Sequence, residues 1–356
     1  MSHTIQLEGH GIEFSCEPAT SVLDGALAAG YEIPYSCRSG ICGSCRGRVV
    51  SGKVQGGLGG GLTAEEEKSG HVLLCQAHPC SDVSVEVREV RKIDKNAIKT
   101  IKAKVYRMTR AAPDVTILQL RFPAGTRVKF KAGQYLSVKL EDGSFRHYSM
   151  ANPPHQNDSV ELHIRHVPGG RFSQRMEQGL AAGEQLELSI PYGDFFLRGN
   201  EDGSESGKPI VLLASGTGFA PIKSIIEDAI KAKSERSMVL YWGARRPQDL
   251  YKMNLARKWE SQLSWFRFVP VLSDAQPSDD WTGRTGLVHQ AVMADIPSLS
   301  SHEVYACGAP AMINAARHEF VHAGGLDPDA FYCDAFVPTT TSANETVQAQ
   351  AAAAGG

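Results

Sequence analysis

Residues 34–47 read PYSCRSGICGSCRG and place Cys37, Cys42 and Cys45 in one short loop, with Cys75 further along the chain. A C-x4-C-x2-C run with a distant fourth cysteine is the plant-type [2Fe–2S] spacing. Three thiolates converging on a rhomb of two irons and two sulfides rule out a helical or extended loop, and the backbone must approach the sulfides closely. Gly40 and Gly43 remove the side chains that would block that approach. Amide N–H groups can then donate to sulfur and tune the reduction potential. A zinc site competes, because Cys42 and Cys45 form a C-x2-C knuckle and CQAHPC offers Cys75, His78 and Cys80. That set leaves Cys37 without a role, whereas the iron–sulfur reading takes Cys37, Cys42, Cys45 and Cys75 as ligands. Cys16 and Cys80 read as structural or incidental.

A second group of residues suits an extended, phosphate-bearing ligand. RHYSMANPP (146–154) contains Arg146-x-Tyr148-Ser149 on an expected strand, and alternation puts Arg146 and Tyr148 on one face. An arginine supplies a planar cationic fork for a pyrophosphate, and a tyrosine supplies an aromatic wall and a hydroxyl. In VPGGRFS, Gly169 and Gly170 precede a helix expected to begin near Ser173, which could cap it. A helix N-terminus attracts phosphate.

The third group sits at the ends of apolar strands. VLLASGTGFAP runs into Gly216-Thr217-Gly218, with a helix expected from Pro221, a residue favoured in a first turn. Pro221 replaces the last glycine of a G-x-G-x-x-G fingerprint, yet such glycines still let a ligand pass over the carboxyl ends of a parallel sheet. A plain strand-to-helix turn is the alternative. In YWGARRPQDLY, Gly243 permits close approach, and Arg245 or Arg246 could meet a ribose or its 2′-phosphate, or simply line a solvated loop. YACGAP closes a later strand with Cys307-Gly308, which alone is also compatible with a buried core thiol.

Three kinds of element must position these residues. Residues 1–92 show short alternating strands, one helical stretch (SVLDGALAAG) and the cysteine loop. The cation-rich segment 88–104 reads as a solvated linker. From 98 to 200 the chain is strand-rich with Gly and Pro punctuation and one helix near FSQRMEQGLAAG, which predicts an antiparallel barrel. The polar, Gly/Ser-rich stretch 199–209 marks a boundary. From 206 to 337 apolar strands alternate with helices such as PIKSIIEDAIKAK, implying βαβ units and a parallel sheet. The low-complexity tail 338–356 is expected to be disordered. The fold class is therefore multidomain, α+β and α/β.

In that order the domains resemble the reductase components of bacterial aromatic-ring-hydroxylating oxygenases, within the ferredoxin-NADP reductase superfamily. The N-terminal part is similar to a plant-type ferredoxin, a β-grasp fold. YSMANPPH, HIRHVPGGRFS and GTGFAPIKS resemble in particular the terephthalate dioxygenase reductases. The resemblance implies an FAD-binding barrel, with Arg146 at the pyrophosphate, His147 adjoining it, Tyr148 against the flavin or ribityl chain, and Ser149 near the flavin N5. It assigns the Gly169–Gly170–Ser173 loop to the diphosphate and places His163, Ile164 and Arg165 along the cofactor. FMN competes, but relatives that use it carry the ferredoxin domain at the C-terminus. The G-T-G-x-x-P loop is implied to hold the nicotinamide end of NADH or NADPH, with Cys307 and Gly308 beside the nicotinamide C4. FYCDAFVP is similar to the family's terminal strand, implying Asp334 near the reaction site and Phe336 over the flavin face. Electrons would then pass from NAD(P)H through FAD and the [2Fe–2S] cluster to a terminal oxygenase. The same modules could serve a monooxygenase, a demethylase or a sugar-deoxygenation enzyme. A redox sensor or a zinc-stabilised binding protein is the reading from another class.

Composition excludes other classes. Across 356 residues the net charge is −2, with 42% hydrophobic and 21% charged residues, so no nucleic-acid-binding character is expected. No basic region followed by an apolar run opens the chain, and no apolar stretch is long enough to span a membrane. The expectation is a cytoplasmic monomer, in a compartment where clustered cysteines serve metal or redox chemistry rather than disulfides.

Overall fold

In the computed structural model, which describes residues 2–94, 98–199 and 206–337, three sheets with different strand patterns carry the three groups of residues. The chain divides into two compact units, one built on residues up to 96 and the other on 97–334. The expected tail 338–356 lies outside the described residues.

The first unit comprises β1 (His3–Glu8), β2 (Ile12–Cys16), α1 (Val22–Ala28), β3 (Tyr31–Glu32), β4 (Arg46–Ser51), β5 (Val54–Gly56), α2 (Ala64–Lys68), β6 (His71–Leu73), β7 (Ala77–Pro79), β8 (Val83–Val87) and β9 (Arg91–Lys92). Its main sheet has the order β2-β1-β8-β4-β6, with β1 and β8 parallel and the other pairs antiparallel. Ile5, Leu7, Val83 and Val85 alternate inward and meet Val22, Leu23 and Ala26 of α1 in one core. A helix laid over a mixed sheet is the expected β-grasp. Ser21 caps α1, its Oγ accepting from the Asp24 N–H at 3.1 Å.

The second unit opens with six strands: β10 (Lys99–Ala112), β11 (Val115–Arg121), β12 (Tyr135–Lys139), β13 (Phe145–Ser149), β14 (Ser159–Arg165) and, after α3 (Arg171–Glu177), β15 (Gln185–Tyr192). They pair antiparallel in the order β13-β12-β15-β10-β11-β14. The two ends of that order meet at a Met150–Leu162 bridge, closing the sheet into a barrel. The expected linker 88–104 needs correction. Residues 99–104 begin β10, because Ile101, Ala103 and Val105 face the core while Thr100, Lys102 and Lys104 face solvent. The cations dominate the composition, but period-2 alternation decides the structure. The helix expected near Ser173 begins earlier, at Arg171, with Gly170 at its N-cap.

The same unit continues through β16 (Ile210–Ser215), α4 (Phe219–Ala232), β17 (Met238–Ala244), α5 (Met253–Gln262), β18 (Phe266–Leu272), β19 (Arg284–Thr285), α6 (Val288–Asp295), β20 (Glu303–Gly308), α7 (Pro310–His322) and β21 (Phe331–Ala335). The order is β19-β18-β17-β16-β20-β21, and the five strands from β19 to β20 in that order run parallel. The winding direction reverses between β16 and β20. That switch point is where ligands bind in doubly wound sheets, and it places the Gly216 loop beside Cys307. A 3₁₀ turn, Gly216–Gly218, leads directly into α4, so the helix starts at Phe219 and Pro221 falls inside its first turn.

Leu188 is fully buried on β15, which pairs with both β10 and β12. Leu188→Ala is expected to destabilise the second unit by about 2–5 kcal/mol, measured as a lower denaturation midpoint.

Candidate functional site

The cysteine loop is held from two sides. The N–H groups of Ser39, Ile41 and Cys42 donate to Cys37 Sγ at 3.4, 3.4 and 3.3 Å. Cys37 and Cys42 are free thiols that share a hydrogen bond, as do Cys45 and Cys75, and Cys75 also receives the Gly40 N–H. Cys42 also acts electrostatically on Cys45, and Cys37 on Cys75, so the two thiol pairs are neighbours. The bond to Cys42, followed by burial, pushes the Cys37 thiol well above the usual range. Cys45 rises too, through Cys75 and burial. Such mutually opposed ionisations suit a donor set that needs a cationic centre to be held as thiolates. Gly40 and Gly43 both take positive φ, and so does Arg38 at φ 54°. Arg38 is held by Asp24 at 3.4 Å, by its approach to the Tyr35 ring, and by Gln76, whose Nε2 donates to the Arg38 carbonyl at 2.9 Å.

A second loop locks the first. The Gly61 N–H donates to Gly40 O at 3.3 Å. A methyl group on Gly61 would stand 2.6 Å from the Gly43 nitrogen, and one on Gly59 would stand 2.8 Å from Gly40 O. Sequence spacing gave no reason to look at residues 59–61. Their role depends on backbone contact alone.

On the barrel, Arg146 and Tyr148 share a face of β13, as alternation required, while His147 turns outward against Tyr135. The Arg146 guanidinium is steadied by Phe145 O at 2.7 Å, and Tyr148 packs on Phe172 of α3. Burial raises the Tyr148 hydroxyl well beyond the usual phenol range, so it stays protonated. Gly169 takes a positive φ before α3. Ser173 does not cap the helix. Its Oγ accepts the Val167 N–H at 3.0 Å and so fixes the Gly-Gly turn from inside. Of the three residues expected along the ligand, Ile164 points into the barrel core. His163 is buried against Tyr251, with its Nδ1 2.9 Å from the Tyr251 hydroxyl. Only Arg165 reaches outward, paired to Asp114 at 3.1 Å.

Arg165 also meets the third group: a methyl group on Gly216 would stand 2.7 Å from its guanidinium. Gly218 lies flat on the 307–308 peptide, where an added methyl group would be 2.5 Å from the Cys307 carbonyl carbon. Ser215 Oγ accepts the Ala309 N–H at 2.9 Å, tying the two loops together. Trp242, fully buried, donates its indole N–H to Gly216 O at 3.0 Å and stacks on Phe219. Sequence reading passed over this tryptophan, although an indole one residue before Gly243 on the adjacent strand was the available signal. Gly243 makes room for Val288 of α6, since a methyl group there would be 2.9 Å from its Cβ. Arg246 is committed to Asp279 at 2.8 Å. Arg245 is exposed and makes no ion pair among the described residues.

The fold brings three residues from separate motifs to one place. Ser149 Oγ donates to Asp334 Oδ2 at 3.4 Å. Burial, then the Asp334 charge, raises the fully buried Cys307 thiol well above its usual range. Phe336 is half-buried just past β21.

Comparison with known proteins matches the three parts in turn. Residues 5–80 match a 2Fe-2S iron-sulfur cluster binding domain, 102–197 an oxidoreductase FAD-binding domain, and 212–318 an oxidoreductase NAD-binding domain. Reductase component 1 of terephthalate 1,2-dioxygenase from a Comamonas species is 41% identical over 97% of this chain and 100% of its own length. The chain belongs to the iron–sulfur flavoprotein reductases of this three-module type. The reductase is also 38% identical, over 95% of its length, to the CDP-6-deoxy-L-threo-D-glycero-4-hexulose-3-dehydrase reductase of Yersinia pseudotuberculosis, which it covers entirely. The crystal structure of the Amycolatopsis cytochrome P450 reductase GcoB superposes with a TM-score of 0.70 at 33% identity, covering 95% of this chain and 100% of that one.

The reductase is thus an NAD(P)H-dependent oxidoreductase with [2Fe–2S], FAD and nicotinamide modules. The residues present fit those groups: two neighbouring thiol pairs with N–H donors to Cys37 Sγ, a cationic fork beside an aromatic wall, and a glycine loop at a sheet switch point. Zinc, with His78 and Cys80 as ligands, fits less well. His78 Nδ1 faces Gln76 O at 3.2 Å, and the exposed Cys80 thiol turns to the His78 carbonyl.

Gly61→Ala is expected to displace the cysteine loop, lowering iron and sulfide content and visible iron–sulfur absorption while leaving flavin content unchanged. Gly218→Ala is expected to slow flavin reduction by NAD(P)H at least tenfold, read by anaerobic stopped flow. Reduction of the cluster by dithionite should be unaffected.

Proposed function

We propose that this chain is the reductase component of a multicomponent aromatic oxygenase, delivering electrons from NAD(P)H to a separate terminal oxygenase. When bound, the cofactors accept a hydride and release it as single electrons, so NAD(P)H and two oxidised acceptors become NAD(P)+, a proton and two reduced acceptors. The observation carrying this reading is the convergence of Ser149, Cys307 and Asp334 at the sheet switch point, in a chain similar over nearly its whole length to a terephthalate 1,2-dioxygenase reductase component.

Cys37, Cys42, Cys45 and Cys75 are the cluster ligands in this reading. Arg146 holds the FAD pyrophosphate, Tyr148 supplies the wall, and the backbone at Gly169–Gly170 faces the diphosphate. Gly216, Thr217 and Gly218, with Cys307 and Gly308, shape the nicotinamide slot. Cys307 stays a neutral thiol, so it contributes shape beside the reacting carbon rather than nucleophilicity. Ser149 Oγ, hydrogen-bonded to Asp334 Oδ2, can pass its proton to that carboxylate as it takes up another on the same oxygen. Phe336 is assigned to the flavin face. With Arg246 tied to Asp279, Arg245 is the side chain available to a ribose or 2′-phosphate. Among the described residues no helix is long and apolar enough to cross a membrane. The proposal includes a cytoplasmic monomer that does not bind nucleic acid.

The similarity to a sugar-dehydrase reductase supports a second reading, in which the same electron path serves a different partner. Anaerobic titration of the loaded protein with dithionite tests the electron path. Three electrons should be taken up, two by flavin and one by the cluster, and a smaller uptake refutes the three-group path. Cys45→Ser is expected to abolish cluster absorption and cut NAD(P)H-driven cytochrome c reduction at least tenfold, with flavin reduction near parental rates. Loss of flavin reduction as well would count against separate roles. Turnover with an aromatic oxygenase, compared with a sugar dehydrase, separates the two partner readings.

A further inference from the structure

Lys223 is a buried cation that the electron path does not use. It sits on α4, five residues past Gly218, with its side chain almost entirely out of solvent. Its ammonium donates to Ala151 O at 3.0 Å and to Glu227 Oε2 at 2.9 Å, and lies 3.4 Å from Glu161 Oε1. The next residue repeats the contact: Ser224, fully buried, donates from Oγ to Asn152 O at 2.7 Å. Two consecutive helix residues therefore grip two consecutive barrel carbonyls.

The position of those carbonyls matters. Ala151 and Asn152 come two and three residues after Ser149, which ends its strand, and Glu161 lies on β14 one residue before the Leu162 of the Met150–Leu162 bridge. Asn152 is locked in turn, its side chain donating to Gln156 O at 2.9 Å and Ser159 O at 3.1 Å while accepting the Glu161 N–H at 2.9 Å. Glu161 also faces buried His163, which contacts Tyr251 on the nicotinamide side. This is a short, rigid route between the flavin strand and the start of the nicotinamide helix. Burying a charge is costly unless it is paired and hydrogen-bonded, and a surface contact at this spot would need neither charge nor burial.

We propose that Lys223 and Ser224 form a latch that fixes the nicotinamide loop against the flavin strand, making them positioning residues for hydride transfer. The inference rests on the reductase reading above. Hydride transfer demands near-contact of donor and acceptor carbons, so an error of about 1 Å can cost 10²-fold in rate. Loosening the latch should therefore slow the transfer more than it weakens nucleotide binding.

The test uses the full-length, FAD- and cluster-loaded protein with Ser224→Ala, Lys223→Met and the charge-balanced Lys223→Met/Glu227→Gln pair. Ser224→Ala and the charge-balanced pair keep the test decisive if the carboxylates left unpaired by Lys223→Met impair folding. Flavin reduction is followed anaerobically with NADH and NADPH and with their 4-deuterated forms, alongside NAD(P)+ binding and thermal stability. The expected result is a several-fold slowing for Ser224→Ala and at least tenfold for either Lys223 variant. The deuterium isotope effect should change, with nucleotide affinity within twofold and flavin content intact. A lowered melting point with parental rates and isotope effects would overturn the latch. A parent protein that neither nucleotide reduces would overturn the reductase reading and the latch with it.

Discussion

Close backbone approach is the constraint on which the second unit depends. Gly218 rests on the 307–308 peptide, Gly308 leaves room only for Ser215, and Gly216 lies under the Arg165 guanidinium. No side chain beyond hydrogen fits at Gly218 without displacing main chain. The switch between β16 and β20 brings the two loops together, and glycine lets their main chains touch. Trp242 and Phe219 then fill the space beneath, so the loop rests on a stacked aromatic floor rather than on solvent.

The first unit applies the same constraint to sulfur. Its cysteine loop gains its shape from positive-φ residues and from a glycine loop that presses against it backbone to backbone. The N–H groups of Ser39, Ile41 and Cys42 all point at Cys37 Sγ. Donors placed this way favour the more negative charge state of whatever the sulfurs hold.

Two buried cations of the second unit are held by carboxylates. Lys223 has two carboxylates and a carbonyl, and Arg236 pairs with Glu303 at 2.8 Å while Ser206 and Tyr305 complete the same carboxylate. His163 is driven down by burial despite its bond to Glu161 and remains neutral. Burial alone would raise Glu161, yet the His163 bond and the Lys223 charge hold it ionised, well below the usual carboxylate range. Lys223, Glu161 and His163 thus meet where the barrel packs on α4, while the buried Cys307 thiol stays uncharged.

The sequence alone determined the chemistry: cysteine spacing, the R-x-Y-S strand, the glycine loops and the change from strand-rich to alternating pattern are all local signals. Local spacing also anticipated that Arg146 and Tyr148 share one face of a strand, because a strand has period two. It misjudged residues 99–104, where composition masked alternation, and it gave Ser173 a capping role that Gly170 takes. Only the tertiary structure decided which glycines face main chain and which, like Gly243, face a neighbouring helix. It alone brought Ser149, Cys307 and Asp334 together, paired Arg246 with Asp279, and set Lys223 and Ser224 against the barrel. Those outcomes depend on contacts between residues tens to hundreds of positions apart, and a single chain's local pattern carries no term for such distances.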